Sequence, residues 1–216
     1  GLGNKQSDKF FSYVAPHGEA NLLSSLAKHG FSPTDITDVI LTHLHFDHVG
    51  GAVTKNEAGD LVPTFPNATY WSNEAHWQNA LNPNAREKAS FLKENFVPLQ
   101  EQNKIKFAKD GEEIAEGVKV HFVYGHTHAM MLPHITYQGK TLVYLADLIP
   151  STAHIKMPYV MGYDVQPLVT MQEKEKYLNA AAEDGHLLFF EHDPKIACAT
   201  VKKTDRGVAF DSVFEL

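Results

Sequence analysis

Residues 39–51 read VILTHLHFDHVGG, a short apolar run that leads into three histidines and one aspartate within six positions. The apolar, β-branched residues before the first histidine are typical of a buried strand. Residues two apart in an extended chain point to the same side, so His43 and His45 face one point. Asp47 and His48 follow a turn and face a second point, and the two glycines after them let the backbone approach closely.

Four ligand-type side chains in so short a stretch predict a metal site rather than histidines that only hydrogen-bond within a loop. Imidazole nitrogen and carboxylate oxygen suit borderline ions such as zinc, iron or nickel. The absence of thiolates from the stretch disfavours a structural zinc site of the cysteine type. Two faces with separate ligands favour two ions over one.

The motif His-x-His-x-Asp-His, preceded by a strand ending in Thr42 and followed by Gly50-Gly51, resembles the signature of the metallo-β-lactamase superfamily. The resemblance implies an α/β fold, an αββα four-layer sandwich with the site at one edge where strand ends converge. Residues 1–216 are then expected to form a single domain of this type. Residues 1–5 resemble the exit of a strand, so the first strands of the fold are expected to lie upstream of this chain.

The same resemblance implies the remaining ligands, each of which follows a predicted strand. The third histidine of the family lies in a Gly-His-Thr motif, which His126 matches, and the bridging carboxylate matches Asp147. The last histidine matches His192. In the implied site, the first ion is held by His43, His45 and His126, the second by Asp47, His48 and His192, and both by Asp147.

Such a site implies a hydrolase in which a hydroxide bridging two divalent ions attacks an ester-like bond. Zinc is the expected ion, with manganese and iron as alternatives. Asp47 and Asp147 are the candidate catalytic residues, and Asp147 is also a candidate proton relay to the leaving group. The candidate substrate-pocket residues are His128, His154, Met157 and Tyr159.

Among branches of the superfamily, the chain looks most like the N-acyl homoserine lactonases and the methyl-parathion-hydrolase-like enzymes, through residues 42–51, 146–148 and 191–193. The best-known lactonases place a tyrosine three residues after the bridging aspartate, where this chain has Pro150. The substrate therefore stays open among a lactone, an aryl ester and a phosphotriester. The alternatives are a glyoxalase II-like thioesterase, a persulfide-dioxygenase-like oxidoreductase with one iron, and a protein that uses the metal only structurally.

The composition favours a small-molecule substrate. A formal net charge of −7, with no cationic cluster longer than Lys202-Lys203, disfavours nucleic acid. No apolar run approaches the roughly 20 residues of a membrane span. The single cysteine, Cys198, cannot form an internal disulfide and lies in an apolar, strand-like stretch. A homodimer is compatible with the sequence. The cellular compartment stays open between the cytoplasm and a periplasmic or secreted location.

Periodicity and turn residues predict much of the secondary structure. Helices are predicted over residues 19–28, 72–79 and 84–95, and a capped turn over residues 32–36. A short strand pair is predicted within residues 52–66, and Gln138-Gly139 predicts a hairpin turn. Further strands are predicted over residues 38–42, 68–71, 104–108, 118–124, 131–137, 141–146 and 186–191.

Overall fold

The computed structural model describes residues 1–18 and 21–216, which form two compact units, Gly1–Phe107 and Ala108–Leu216. Both units combine helices with strands, so the chain has the predicted mixed α/β character. Within the described residues, no helix is both long enough and apolar enough to cross a membrane. The single domain expected over residues 1–216 stays a prediction.

The first unit contains a parallel sheet, a β-hairpin and short helices. The helices are α1 Asp8–Val14, α2 Leu22–Lys28, α3 Phe46–Val49, α4 Glu74–Leu81 and α5 Val97–Glu101. The strands are β1 Asp38–Ile40, β2 Val53–Lys55, β3 Leu61–Pro63, β4 Thr69–Ser72 and β5 Ile105–Phe107. Strand β4 pairs in parallel with β1 and β5, whereas β2 and β3 are antiparallel. Leu44, Trp77 and Phe96 are fully buried in the core of this unit.

The second unit is built on a seven-stranded sheet and one long helix, α6 Pro167–Asp184. Its strands are β6 Glu113–Ala115, β7 Val118–Val123, β8 Met130–Tyr137, β9 Lys140–Tyr144, β10 Leu187–Phe189, β11 Cys198–Thr204 and β12 Gly207–Val213. The order is β12-β11-β10-β9-β8-β7-β6, and only β9 and β10 are parallel. A parallel pair needs a crossover connection, and α6 lies in that crossover. Its residues Tyr177, Leu178 and Ala181 pack into the main core of the unit.

One helix prediction is wrong, and another falls partly outside the described residues. Residues 84–95 do not form a continuous helix, because the Asn84 side chain accepts hydrogen bonds from the backbone N–H groups of Arg86 and Glu87 and favours a turn. Only Lys93–Asn95 is helical there, as a 3₁₀ turn. The helix predicted over residues 19–28 is present as α2 from Leu22, and residues 19 and 20 lie outside the described residues.

Candidate metal centre

The histidine motif of the first unit leaves strand β1 and enters the short helix α3. His43 and His45 are 0% and 6% exposed, and their ring centroids lie 4.6 Å apart. The ring centroids of His43 and His48 lie 3.9 Å apart, and His48 Nε2 lies 3.4 Å from Asp47 Oδ2. The first unit therefore gathers the four ligand-type side chains of the motif. Asp47 is the most accessible of them, with 39% of its side chain exposed.

Two residues outside the motif contact it within the first unit. The fully buried His76, on α4, accepts the Leu44 N–H through Nε2 at 2.9 Å. Glu87 is also buried, and its Oε1 lies 3.5 Å from His45 Nε2. No sequence signal pointed to Glu87, because it lies far from the motif in the chain and follows no strand.

The backbone of residues 1 and 2 packs so closely against the end of the motif that a glycine is required at position 50. A Cβ atom on Gly50 would lie 1.9 Å from the carbonyl oxygen of Leu2. The N–H of Gly51 donates to the carbonyl oxygen of Gly1 at 2.7 Å. The close backbone approach predicted for these glycines is therefore confirmed.

In the second unit, Asp147 lies on a 3₁₀ turn, Ala146–Leu148, soon after strand β9. Its two carboxylate oxygens face different imidazoles. Oδ2 lies 3.2 Å from His126 Nε2, and Oδ1 lies 3.2 Å from His192 Nε2. A carboxylate with one imidazole at each oxygen has the arrangement that a ligand shared by two ions requires.

A buried carboxylate orients the ring of His126. Asp164 is 2% exposed, and its Oδ1 accepts a hydrogen bond from His126 Nδ1 at 2.9 Å. Because this carboxylate holds the proton on Nδ1, the lone pair of the neutral ring lies on Nε2, the atom beside Asp147. A carboxylate partner also makes the ligating nitrogen more basic, which strengthens its bond to a metal.

Helix α6 anchors the loop that carries His126. The Glu173 carboxylate accepts hydrogen bonds from the N–H groups of Tyr124 and Gly125 at 2.7 and 2.9 Å. Burial raises the pKa of Glu173, and these two hydrogen bonds act in the opposite direction. A Cβ atom on Gly125 would lie 2.4 Å from the backbone nitrogen of Thr170 on the same helix. The glycine of the Gly-His-Thr motif is therefore needed for the helix to approach the loop.

A further carboxylate, Glu191, lies beside the ligand candidates of the second unit and was missed in the sequence. Asp147, Glu191 and His192 each offer a ligand atom, and these atoms lie within 4.8 Å of one another. The Tyr144 hydroxyl donates to Glu191 Oε2 at 2.5 Å and so orients this carboxylate. Burial and the negative charge of Glu191 raise the pKa of Tyr144, which keeps its hydroxyl a donor at neutral pH.

The donor atoms fit divalent ions of the zinc type. Zinc binds imidazole nitrogen and carboxylate oxygen at about 2.0–2.2 Å in tetrahedral geometry, which sets neighbouring donor atoms about 3.3 Å apart. The two separations of 3.2 Å at Asp147 match this spacing. Cys198 is fully buried in an apolar cluster with Leu142 and Leu187, as its sequence context predicted.

Among the predicted pocket residues, His154 contacts a serine of its own loop. It is half-buried, and its Nδ1 lies 2.8 Å from Ser151 Oγ. Burial, followed by the positive charge of Lys174, lowers the pKa of His154, whereas the negative charges of Asp164 and Asp147 oppose this shift.

The other predicted pocket residues differ in exposure. His128 is exposed, and its ring packs edge to face against Tyr124 with centroids 5.3 Å apart. Met157 is half-buried against the main core of the second unit, and Tyr159 is 52% exposed.

Comparison with known sequences gives matches to one family. A family sequence model described as the metallo-beta-lactamase superfamily matches residues 14–192. The N-acyl homoserine lactonase AiiA of Bacillus thuringiensis subsp. kurstaki is 22% identical over 178 residues, which cover 81% of this chain and 63% of that relative. The N-acyl homoserine lactonase AttM of Agrobacterium fabrum is 24% identical over 180 residues, which cover 81% and 64%. The chain thus spans less than two thirds of the length of these relatives.

Solved structures give a similar result. A probable metal-dependent hydrolase from Staphylococcus aureus has a TM-score of 0.86 and 29% identity, with 99% of this chain and 75% of that one covered. The dizinc quorum-quenching lactonase AidC has a TM-score of 0.76 and 25% identity, with 90% and 70% covered. The similarity therefore extends over most of residues 1–216 in both comparisons.

Proposed function

The chain belongs to the metallo-beta-lactamase superfamily, and from this premise we propose that the protein is a dinuclear metal-dependent hydrolase of ester-like bonds. The observation that carries the proposal is the Asp147 carboxylate, each oxygen of which lies 3.2 Å from a different imidazole. The names of the similar proteins, lactonases and a metal-dependent hydrolase, support hydrolysis. The dizinc lactonase AidC supports a site with two ions.

The proposed ligands follow the motif of the family. The first ion is assigned to His43, His45 and His126, the second to Asp47, His48 and His192, and Asp147 is shared by both. When bound, two such ions lower the pKa of water toward neutrality and polarise a carbonyl or phosphoryl oxygen of the substrate. Zinc is the proposed ion, with manganese and iron as alternatives.

The proposed roles of the chain's own residues follow from their contacts. Asp164 keeps the proton of His126 on Nδ1, so the lone pair that would bind a metal lies on Nε2. Asp147 takes up, on a carboxylate oxygen, the proton that the attacking water or hydroxide releases and passes it to the leaving oxygen of the substrate. Asp47 is the candidate for proton exchange with solvent, because 39% of its side chain is exposed.

The proposed substrate is a neutral or weakly charged small molecule. The net charge of −7 makes a polyanionic partner unfavourable. Pro150 lies three positions after Asp147 and offers no hydroxyl to a lactone ring, and its carbonyl oxygen accepts the His192 N–H at 3.0 Å. Aryl esters and phosphotriesters are therefore favoured over lactones.

The experiment that tests this function is elemental analysis of protein purified without added metal, paired with hydrolysis assays. The assays use a lactone series, an aryl ester series and a phosphotriester series. Two ions per chain, with turnover in one series, is the expected result. One iron per chain with oxygen consumption and no hydrolysis would contradict the proposal and favour the oxidoreductase, and bound metal without turnover would favour a structural metal.

A further inference from the structure

Residues 151–164, here called the pocket segment, carry His154, Met157 and Tyr159 without forming a strand. Polar side chains of the second unit hold both ends of this segment. At its start, the Asp193 carboxylate accepts hydrogen bonds from the N–H and the hydroxyl of Thr152 at 2.9 and 2.7 Å. Its final residue, Asp164, accepts the hydrogen bond from His126. The pocket segment is therefore joined at its end to a proposed metal ligand.

A buried lysine on α6 holds the middle of the pocket segment. Lys174 is 0% exposed, and its Nζ donates to the carbonyl oxygens of Lys156, Met157 and Tyr159 at 3.0, 3.2 and 2.6 Å. An ammonium group has three N–H donors, so these three carbonyls use all of them. Hydrogen bonds from charged donors are stronger than neutral ones, and together they fix the backbone of residues 156–159.

The fixed backbone presents apolar and aromatic side chains. Met157 packs against the core of the unit, whereas Tyr159 and Tyr163 are 52% and 79% exposed. Exposed tyrosines on a fixed backbone offer contact area at low cost in conformational entropy. These side chains suit an apolar or aromatic substituent of a small molecule.

We propose that Lys174 is a positioning residue of the hydrolase, which fixes the pocket segment so that Met157 and Tyr159 contact an apolar substituent of the ester substrate. This inference rests on the proposed function and narrows it to esters with a sizeable apolar group. Lys174 acts only through the backbone that it holds. Its loss should therefore weaken recognition of large substrates without removing metal.

The test compares the parent protein with Lys174→Met, using 4-nitrophenyl acetate and 4-nitrophenyl octanoate as probes. Methionine retains the length and apolar stem of lysine but donates no hydrogen bond to the three carbonyls. The matched control is Lys176→Met, because Lys176 lies on the same helix but is exposed. Metal content, the KM and kcat of both esters and amide hydrogen exchange of residues 152–162 are measured for each protein.

Lys174→Met is expected to retain the parent's metal content and to exchange amide hydrogens of residues 152–162 faster. The octanoate KM should rise about tenfold relative to the acetate KM, because displaced binding groups lose their contacts with the substituent. Equal changes for both esters, or unchanged exchange, would overturn the positioning role while leaving the hydrolase proposal intact. A parent protein that hydrolyses neither 4-nitrophenyl ester would overturn this inference, and the proposed function would be refuted only if the lactone and phosphotriester series also gave no turnover.

A second variant keeps the inference testable if Lys174→Met does not fold. Tyr159→Ala truncates an exposed side chain of the pocket segment and leaves the three carbonyl acceptors in place. It should also raise the octanoate KM relative to the acetate KM. A ratio equal to that of the parent would show that the pocket segment does not contact the substituent, and the proposal would fail.

Discussion

Asp164 should control the metal affinity of His126 although it binds no ion itself. Asp164→Asn leaves an amide oxygen that can still accept the Nδ1 hydrogen, but it removes the negative charge from a residue that is 2% exposed. Loss of such a partner costs about 10- to 100-fold in metal affinity. This corresponds to about 1.4–2.7 kcal/mol of binding free energy. Asp164→Ala also removes the acceptor and should weaken binding further.

The assay is competitive titration of metal-free protein with zinc in the presence of a chromophoric chelator. Asp184→Asn is the matched control, because Asp184 is 66% exposed and its Oδ2 lies 3.9 Å from His186 Nε2, outside the candidate centre. Thermal unfolding of the metal-free variants separates lost affinity from lost folding. If both Asp164 variants bind zinc within about twofold of the parent affinity, the orienting role of this carboxylate is wrong.

Three further substitutions test separate parts of the site. Asp147→Ala should reduce the occupancy of both ions in elemental analysis, and an unchanged content of two ions would contradict its assignment as the shared ligand. His154→Ala should change substrate kinetics while metal content stays at the parent level; if the kinetics stay the same, the residue serves only the structure of its loop. Burial lowers the pKa of Lys174 to about 8 from the ordinary value of 10.5, so between these pH values the unfolded chain holds a proton that the folded chain has lost. In this window Lys174 makes the free energy of unfolding rise with pH. Lys174→Met should therefore be more destabilising at pH 9.5 than at pH 7.5 in urea titrations. An equal loss of unfolding free energy at the two pH values would refute this pKa shift.

The fold class could be predicted because local sequence and the motif agreed, and the family match confirms it. The hairpin predicted at Gln138-Gly139 forms with φ values of 50° and 75°, as a tight turn between β8 and β9 requires. The turn predicted at residues 32–36 forms as a 3₁₀ helix, Pro33–Asp35. In each case the residues that determine the conformation are neighbours in the chain, so no long-range contact was needed to predict it.

The sequence pattern did not predict helix α6, because two residues on its buried face are polar. Its buried residues are Thr170, Lys174, Tyr177, Leu178 and Ala181, which have helical spacing. Thr170 and Lys174 occupy the first two of these positions, so the apolar pattern begins only halfway along the helix. A pattern based on hydrophobicity cannot detect a buried face that includes a lysine satisfied by carbonyl oxygens outside its own helix.

The candidate metal ligands can be recognised from the sequence, whereas the residues that orient them cannot. A metal ligand must be one of few residue types, so a histidine-rich motif identifies the candidates from the sequence. The residues that orient them can be any polar type, and only the fold brings Asp164 to His126.

On α6, Glu173 binds the loop before His126 and its neighbour Lys174 binds the pocket segment. Because the two loops depend on adjacent residues of one helix, a shift of α6 would move a proposed metal ligand and a proposed substrate wall together. A change that displaces α6 as a whole should therefore alter metal binding and substrate choice together, although none of its residues is a proposed ligand.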